Sequence, residues 1–149
     1  METIIFDPVK HKSLLPSLVE IHIGCIENDF TLLRFLPPFP PEKRQTVLEW
    51  WESRMAGITS GARIVIMEVA NDPDGKQEAC GLVSLERDPS ETGSYRANVQ
   101  TLLVSPRYRR KGIATKLIKK LEEVALEDKR SLLVRDYPDV MNQIASEQR

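Results

Sequence analysis

Cysteine and histidine are scarce in this 149-residue chain, with two of each. Cys25 and Cys80 stand apart in apolar surroundings without metal-ligand spacing, so neither a disulfide framework nor a metal site is expected, and reduced thiols are the simplest account. Long apolar runs are missing too. No stretch approaches the ~20 residues needed to span a bilayer, and no basic region leads into an apolar segment and cleavage site at the N-terminus, so membrane insertion and export are not expected. Neither sign of charge is in excess: 21 Lys and Arg stand against 22 Asp and Glu, a formal net charge of −1. That balance gives no global drive toward nucleic acid or anionic lipid, and a cytoplasmic location, with the nucleus as a second compartment, is the expectation. The length suits one domain and leaves no room for a second.

The basic charge that exists is concentrated. Residues Val99 to Ala114 run from an apolar strand through a basic turn into a helix on which Ile113, Leu117, Ile118, Leu121, Val124 and Ala125 recur at helical spacing. A helix N-terminus already carries unpaired N–H groups and partial positive charge, which disfavours added cations by about 0.3–1 kcal/mol each. Arg107, Arg109, Arg110, Lys111 and Lys116 nonetheless crowd this end with no acid among them. A bound polyphosphate resolves the conflict, and Gly112 with small Ala114 lets it approach the backbone. The spacing fails both the G-x-x-x-x-G-K-[ST] loop and the G-x-G-x-x-G fingerprint, which argues against a nucleoside triphosphatase and a dinucleotide-binding enzyme. A solvated basic turn is the plain alternative, and a nucleic-acid contact over residues 107–120 is a weaker one.

The segment Arg109-Arg110-Lys111-Gly112-Ile113-Ala114 resembles the Q/R-x-x-G-x-G/A acetyl-CoA-binding motif of the GCN5-related N-acetyltransferases. The preceding strand with Leu102, Val104 and Pro106, the Tyr108-Arg109 pair and the following helix match that family in order. The resemblance implies acetyl-CoA as cosubstrate and no metal. It implies that Arg109, Arg110, Lys111, Gly112, Ile113, Ala114 and Thr115 form the cofactor site, with backbone N–H groups from Arg110 to Thr115 on the pyrophosphate. The backbone of Leu102, Leu103 and Val104 would pair with the pantetheine arm as an added strand.

The rest of the chain reads as strand Thr3–Phe6, a helix carrying Leu14 to Cys25 with Phe30, Leu32 and Leu33 following, a proline break at residues 37–41, and a helix from Pro41 through Met55. Strands are expected at Ala62–Ala70, Ala79–Arg87, Tyr95–Val104 and Ser131–Arg135, the first two joined by the turn Asp72-Pro73-Asp74-Gly75. This order predicts an α/β (α+β) domain, a mixed sheet flanked by helices with an antiparallel front and a parallel pair around the glycine motif. Within the family, the Phe35 to Phe39 segment, the Trp50-Trp51 pair and the Tyr95 to Val99 lead-in resemble the tabtoxin-resistance type. Related sequences carry Glu and Lys where this chain has Asn98 and Thr101, so no role transfers to those two side chains.

The family chemistry is direct acetyl transfer to an amine, of a small molecule or a protein. A lysine-like amine has pKa near 10.4, so its neutral form at neutral pH costs roughly 4–5 kcal/mol and a base or water relay is required. Glu86, at a strand end, is the candidate base, with a solvated strand-end carboxylate as the alternative. The resemblance implies an oxyanion donor among the backbone N–H groups of Leu103 or Val104. Phe35, Phe39 and Trp50 are candidate walls of the acceptor site, with core packing as the alternative for the tryptophans. His22 and Cys25 are three residues apart on a helix, and a buried structural cysteine is favoured over a Cys–His nucleophile.

After residue 135 the pattern departs from the family, which continues with a helix bearing a proton-donating tyrosine and then further strands. Tyr137, followed by proline, does not match that position. The sequence therefore divides into a domain over residues 1–135, lacking the usual last helix and strands, and a divergent tail over 136–149. Two expectations follow: a homodimer contact or a partner covering the exposed C-terminal sheet edge, and a non-catalytic CoA-binding module as the alternative function.

Overall fold

The computed structural model describes residues 1–29 and 34–130, and the backbone of residues 132–135. Five strands form one sheet in chain order: β1 (Glu2–Ile5), β2 (Arg63–Asn71), β3 (Gln77–Arg87), β4 (Arg96–Val104) and β5 (Leu132–Arg135). The first four are antiparallel, and β4 and β5 are parallel, joined through a crossover helix as a parallel pair requires. Helices α1 (Leu15–Asp29) and α2 (Pro41–Thr59) lie between β1 and β2 in sequence, and α3 (Ile113–Glu127) lies between β4 and β5. The predicted mixed sheet and every predicted element within the described residues are present. Phe30, Leu32 and Leu33, Ser131, Tyr137 and the tail 136–149 lie outside the described residues, and with them the expectation about a last helix and strands.

The sheet is covered on both faces, which explains why β2 and β3 read as near-continuous apolar runs. On one face, α1 and α2 contribute Leu18, Ile21, Val47 and Trp51 to a core with Val65, Met67, Val69, Leu82 and Leu103. On the other, α3 packs Ile113, Leu117 and Leu121 against Ile66, Val83, Leu85, Ala97, Val99 and Leu102. The β2–β3 turn is fixed by Asp72, whose carboxylate accepts from the N–H of Asp74 (3.0 Å) and Lys76 (2.8 Å), with Gly75 supplying a φ of 81°. Helix α1 is pinned to the sheet through Ser17, whose hydroxyl accepts from the Ala79 N–H at 3.0 Å and donates to the Leu14 carbonyl at 2.7 Å.

One interruption of the ladder matters for the site. Leu82 pairs with Leu103 and Ser84 with Gln100, so β4 spends one residue more than β3 over that interval, a β-bulge. Thr101 absorbs it with a φ of 54°, in the left-handed region that a β-branched residue rarely enters. Beyond it Leu102 and Val104 face α3, on the same side as Ala97 and Val99.

Close packing of α3 on β3 depends on Gly81. A β-carbon there would lie 3.0 Å from the Leu103 carbonyl oxygen, 3.0 Å from Ile113 Cγ2 and 3.3 Å from Leu117 Cδ1. The backbone oxygen cannot swing away, so Gly81→Ala should lower the free energy of unfolding by about 1–3 kcal/mol. A shifted urea midpoint with an unchanged slope is the expected readout.

Candidate functional site

The turn between β4 and α3 has the geometry of an anion cradle. Arg110 and Gly112 both take positive φ, 64° and 71°, while Lys111 between them and Ile113 after them do not. Alternating handedness over successive residues turns their N–H groups into a common concavity, the arrangement that binds oxyanions. Gly112 is the N-cap of α3, no side chain caps that end, and the first turn has no acid. A β-carbon at Gly112 would meet nothing within 4 Å, so the space in front of the turn is open. These residues fit a pyrophosphate. Arg110 accepts a left-handed backbone at a cost of about 1 kcal/mol or more, which the surrounding structure must offset.

The crowding of cations read from the sequence is partly relieved inside the protein. Arg107 reaches Glu78 at 3.6 Å, and Lys116 reaches the fully buried Glu68 at 3.0 Å. Arg109 Nη1 donates to Asp29 at 2.7 Å, and Nη2 contacts the second oxygen of the same carboxylate. Arg109 Nη2 also donates to the Val104 carbonyl at 3.3 Å. Arg109 therefore contributes its side chain to the end of α1 and of β4, whereas Arg110 and Lys111 form no ion pair among the described residues and remain for an anion. Lys111 sits 5.7 Å from the Tyr108 ring centroid. The Tyr108 hydroxyl donates to Glu78, and that bond pushes the phenol up to about 12. On the α1 side of the turn lies a cavity of about 550 Å³ lined by Gly24, Glu27, Glu78, Pro106 and Tyr108.

The second half of the site lies on the sheet face covered by α1 and α2. Pairing of β4 with β5 covers Arg96 to Val99, and β4 then runs on through Thr101 to Val104. Leu102, Leu103 and Val104, the backbone predicted to receive pantetheine, lie in this stretch. Glu86 sits opposite Asn98 and Ser84 opposite Gln100. All four alternate with residues that face α3, so they form a polar strip on the opposite face.

Helix α2 supplies the wall above that strip. Trp50 is half-buried, with Phe35 at 6.0 Å centroid to centroid and the Arg54 guanidinium 4.7 Å from its ring. Arg54 Nη2 lies 3.5 Å from Thr101 Oγ1 and 3.7 Å from Glu86 Oε1. That same Glu86 oxygen accepts from Arg63 Nε at 3.0 Å and from Arg63 Nη2. Arg63 Nη1 in turn donates to the Arg54 carbonyl at 2.6 Å. Glu86 is therefore not a loosely solvated carboxylate: its Oε1 is held by guanidinium groups. Phe39 packs against the same core as Phe35 and Trp50, with Lys43 5.4 Å from its ring. The structure thus joins Phe35 and Trp50 to Glu86 through Arg54, a residue the sequence reading passed over. Its i, i+4 spacing from Trp50 on one helix face was the available signal.

The Cys–His pair has no nucleophilic character. The Cys25 thiol donates to the Val104 carbonyl at 3.4 Å, and burial pushes it up to about 11 despite the nearby Arg109. His22 Nδ1 accepts from the Trp51 indole at 3.1 Å, and its ring packs against Phe35, Trp50 and Trp51. Among the described residues no cluster of metal-ligating side chains exists, and no helix is long and apolar enough to cross a membrane.

The family model described as the acetyltransferase (GNAT) family matches residues 26–139. No curated protein matches the chain in sequence. Several solved structures match in fold. A ribosomal-protein-alanine N-acetyltransferase from Brucella melitensis superposes with a TM-score of 0.61 at 20% identity, over 91% of this chain and 73% of that one. An acetyltransferase from Trypanosoma brucei gives 0.57 at 18% identity, over 93% and 83%. A phosphinothricin acetyltransferase from Sinorhizobium meliloti, solved with acetyl-CoA, gives 0.59 at 20% identity, over 85% and 61%.

The thiols provide a test of this geometry. A folded-state value raised from the ordinary 9.0 to about 11 means that burial of the neutral Cys25 thiol stabilises the fold fully below pH 9.0, and that this is lost as pH rises through about 11. Cys80 is raised to about 11 as well. Both thiols should resist alkylation in the native protein at mildly alkaline pH and react together in concentrated guanidinium; fast native labelling of Cys25 would contradict its placement.

Proposed function

The chain belongs to the acetyltransferase (GNAT) family, and from that membership we propose that it transfers the acetyl group of acetyl-CoA directly to an amine seated between α2 and the polar strip of β3 and β4. Acetyl-CoA-dependent acetyl transfer is the activity of the family, and acetyl-CoA supplies the acyl group as a thioester. The observation that carries the reading is the alternating backbone of Arg110, Lys111, Gly112 and Ile113 at the uncapped start of α3. Residues 1–135 act as the acetyl-CoA-binding domain in this proposal.

Each part of the chain then has a task. Backbone N–H groups from Arg110 to Thr115, with the Arg110 and Lys111 side chains, hold the pyrophosphate. The backbone of Leu102 to Val104 orients the pantetheine arm, and an N–H of Leu103 or Val104 faces the reacting carbonyl oxygen. Phe35 and Trp50 shield the acceptor from water. Glu86 takes a proton from the incoming ammonium; the neutral nitrogen then attacks the thioester carbon, the C–N bond forms as the C–S bond breaks, and the second proton shed by the nitrogen passes to the departing CoA thiolate. Arg63 and Arg54 engage Glu86 Oε1, and among the described residues no hydrogen bond occupies Oε2. The acceptor is an amine of a small molecule or of a protein. No observation among the described residues favours the non-catalytic alternative.

Two measurements test this. Replacing Arg110 and Gly112 together by alanine should weaken acetyl-CoA binding in calorimetry about tenfold or more while the circular dichroism spectrum is kept, because the charge and the left-handed turn go together. Unchanged affinity would remove the cradle assignment. Glu86→Gln should lower kcat/KM by about 10²-fold or more, with acetyl-CoA affinity retained. A variant that keeps the wild-type kcat/KM would show that Glu86 only anchors the two arginines.

A further inference from the structure

Arg54 is the least satisfied cation of the acceptor wall. Its Nη2 contacts are long, 3.5 Å to Thr101 and 3.7 Å to Glu86, and its buried Nε has no hydrogen-bond partner. Arg63 by contrast grips Glu86 through two nitrogens. Arg34 stands over the other reach of the Trp50 ring, 5.6 Å from its centroid. Two guanidinium groups therefore share one carboxylate, and a third lies over the adjoining indole. Burial first, then the fields of Arg63 and Arg34, pull the Arg54 pKa below its ordinary value, the signature of a cation short of counter-charge.

Stacking on Trp50 fixes the plane of the Arg54 guanidinium, and its side chain keeps 20% exposure, so its outer nitrogens are open to a planar, bidentate anion. It lies against Thr101 at the bulge, two residues past the last residue of β4 that pairs with β5. From this geometry we propose that the acceptor is a small zwitterion of the α-amino acid type, its carboxylate received by Arg54 and its amine by Glu86. The proposal rests on the acetyl-transfer reading of the same site and names its substrate class.

Three considerations carry it. The opposite charges of the site stand 3.7 Å apart, and an α-amino acid presents opposite charges on neighbouring atoms of one carbon, so the two dipoles lie antiparallel and each charge meets its complement. A polyamine or a lysine-rich segment would bring only positive charge to a wall that is already cationic. Like charges in contact within a half-buried wall repel by more than a single hydrogen bond returns. The guanidinium also favours the neutral form of the amine bound beside it, which eases proton removal by Glu86.

The test follows release of the CoA thiol with a pool of L-amino acids, a matched pool of amino-acid amides, and spermidine, with acetyl-CoA affinity measured in parallel by calorimetry. Amino acids should exceed their amides in kcat/KM by about tenfold or more, in line with a charged hydrogen-bonded pair. Arg54→Met should collapse that ratio toward one mainly through KM, and Arg54→Lys should recover part of it. Amides or spermidine equal to or better than amino acids would overturn the proposal and leave acetyl transfer standing. Silence with all three acceptors while acetyl-CoA binds would overturn it as well. A wild-type protein that does not bind acetyl-CoA would instead strike the reading on which it rests.

Discussion

The ion pair between Arg109 and Asp29 holds this architecture in register with its site. Both side chains are nearly buried, at 11% and 12% exposure, and the guanidinium also caps the carbonyl of Val104. One residue therefore ties the end of α1, the end of β4 and the turn that opens α3. A pair this far from water contributes little over a well-packed apolar substitute, yet removing one partner leaves a stranded charge at a cost of about 3–5 kcal/mol. It specifies position. The end of α1 and the turn that opens α3 belong to different elements, and Arg109 fixes one relative to the other.

Charge is handled by two different devices at the two ends of β4. At its C-terminal end the positive potential comes from backbone N–H groups arranged by alternating handedness, which need no side-chain ordering and tolerate sequence change. Near its bulge the potential comes from guanidinium groups stacked on an indole and shared around Glu86, where identity and spacing of side chains matter. The first device suits a cosubstrate common to a family. The second suits discrimination between acceptors, since it is built from residues of α2 and β2 that can vary without touching the cradle.

The legible part of this protein was the part written in contiguous residues. Strand, basic turn, Gly112 and the periodic face of α3 follow one another, so this strand–turn–helix unit could be read directly, as could the hairpin at Asp72 and the helix start at Pro41. Pairings between distant residues left no local trace. The acids that neutralise Arg109 and Lys116 come from Asp29 and Glu68, far away in sequence, and a count of local charges missed them. Glu86 was recognisable as a strand-end carboxylate, but its arginine partners sit on α2 and β2. The bulge left only a partial signal: the alternation of Ala97 and Val99 with Asn98 and Gln100 breaks at Thr101 into the continuous apolar run Leu102 to Val104, which hides the change of phase.

That break makes β4 a strand with two phases. Before Thr101, odd-numbered residues meet α3; after it, even-numbered residues do. Without the additional residue, Leu103 would turn toward α3 and Leu102 and Val104 would turn toward α1, exchanging the occupants of both cores at once. The chain length between Arg96 and Arg109 is consequently not free to drift: losing or gaining a single codon there would invert the inside and outside of half a strand, so this stretch of β4 tolerates substitution far better than it tolerates small insertions and deletions.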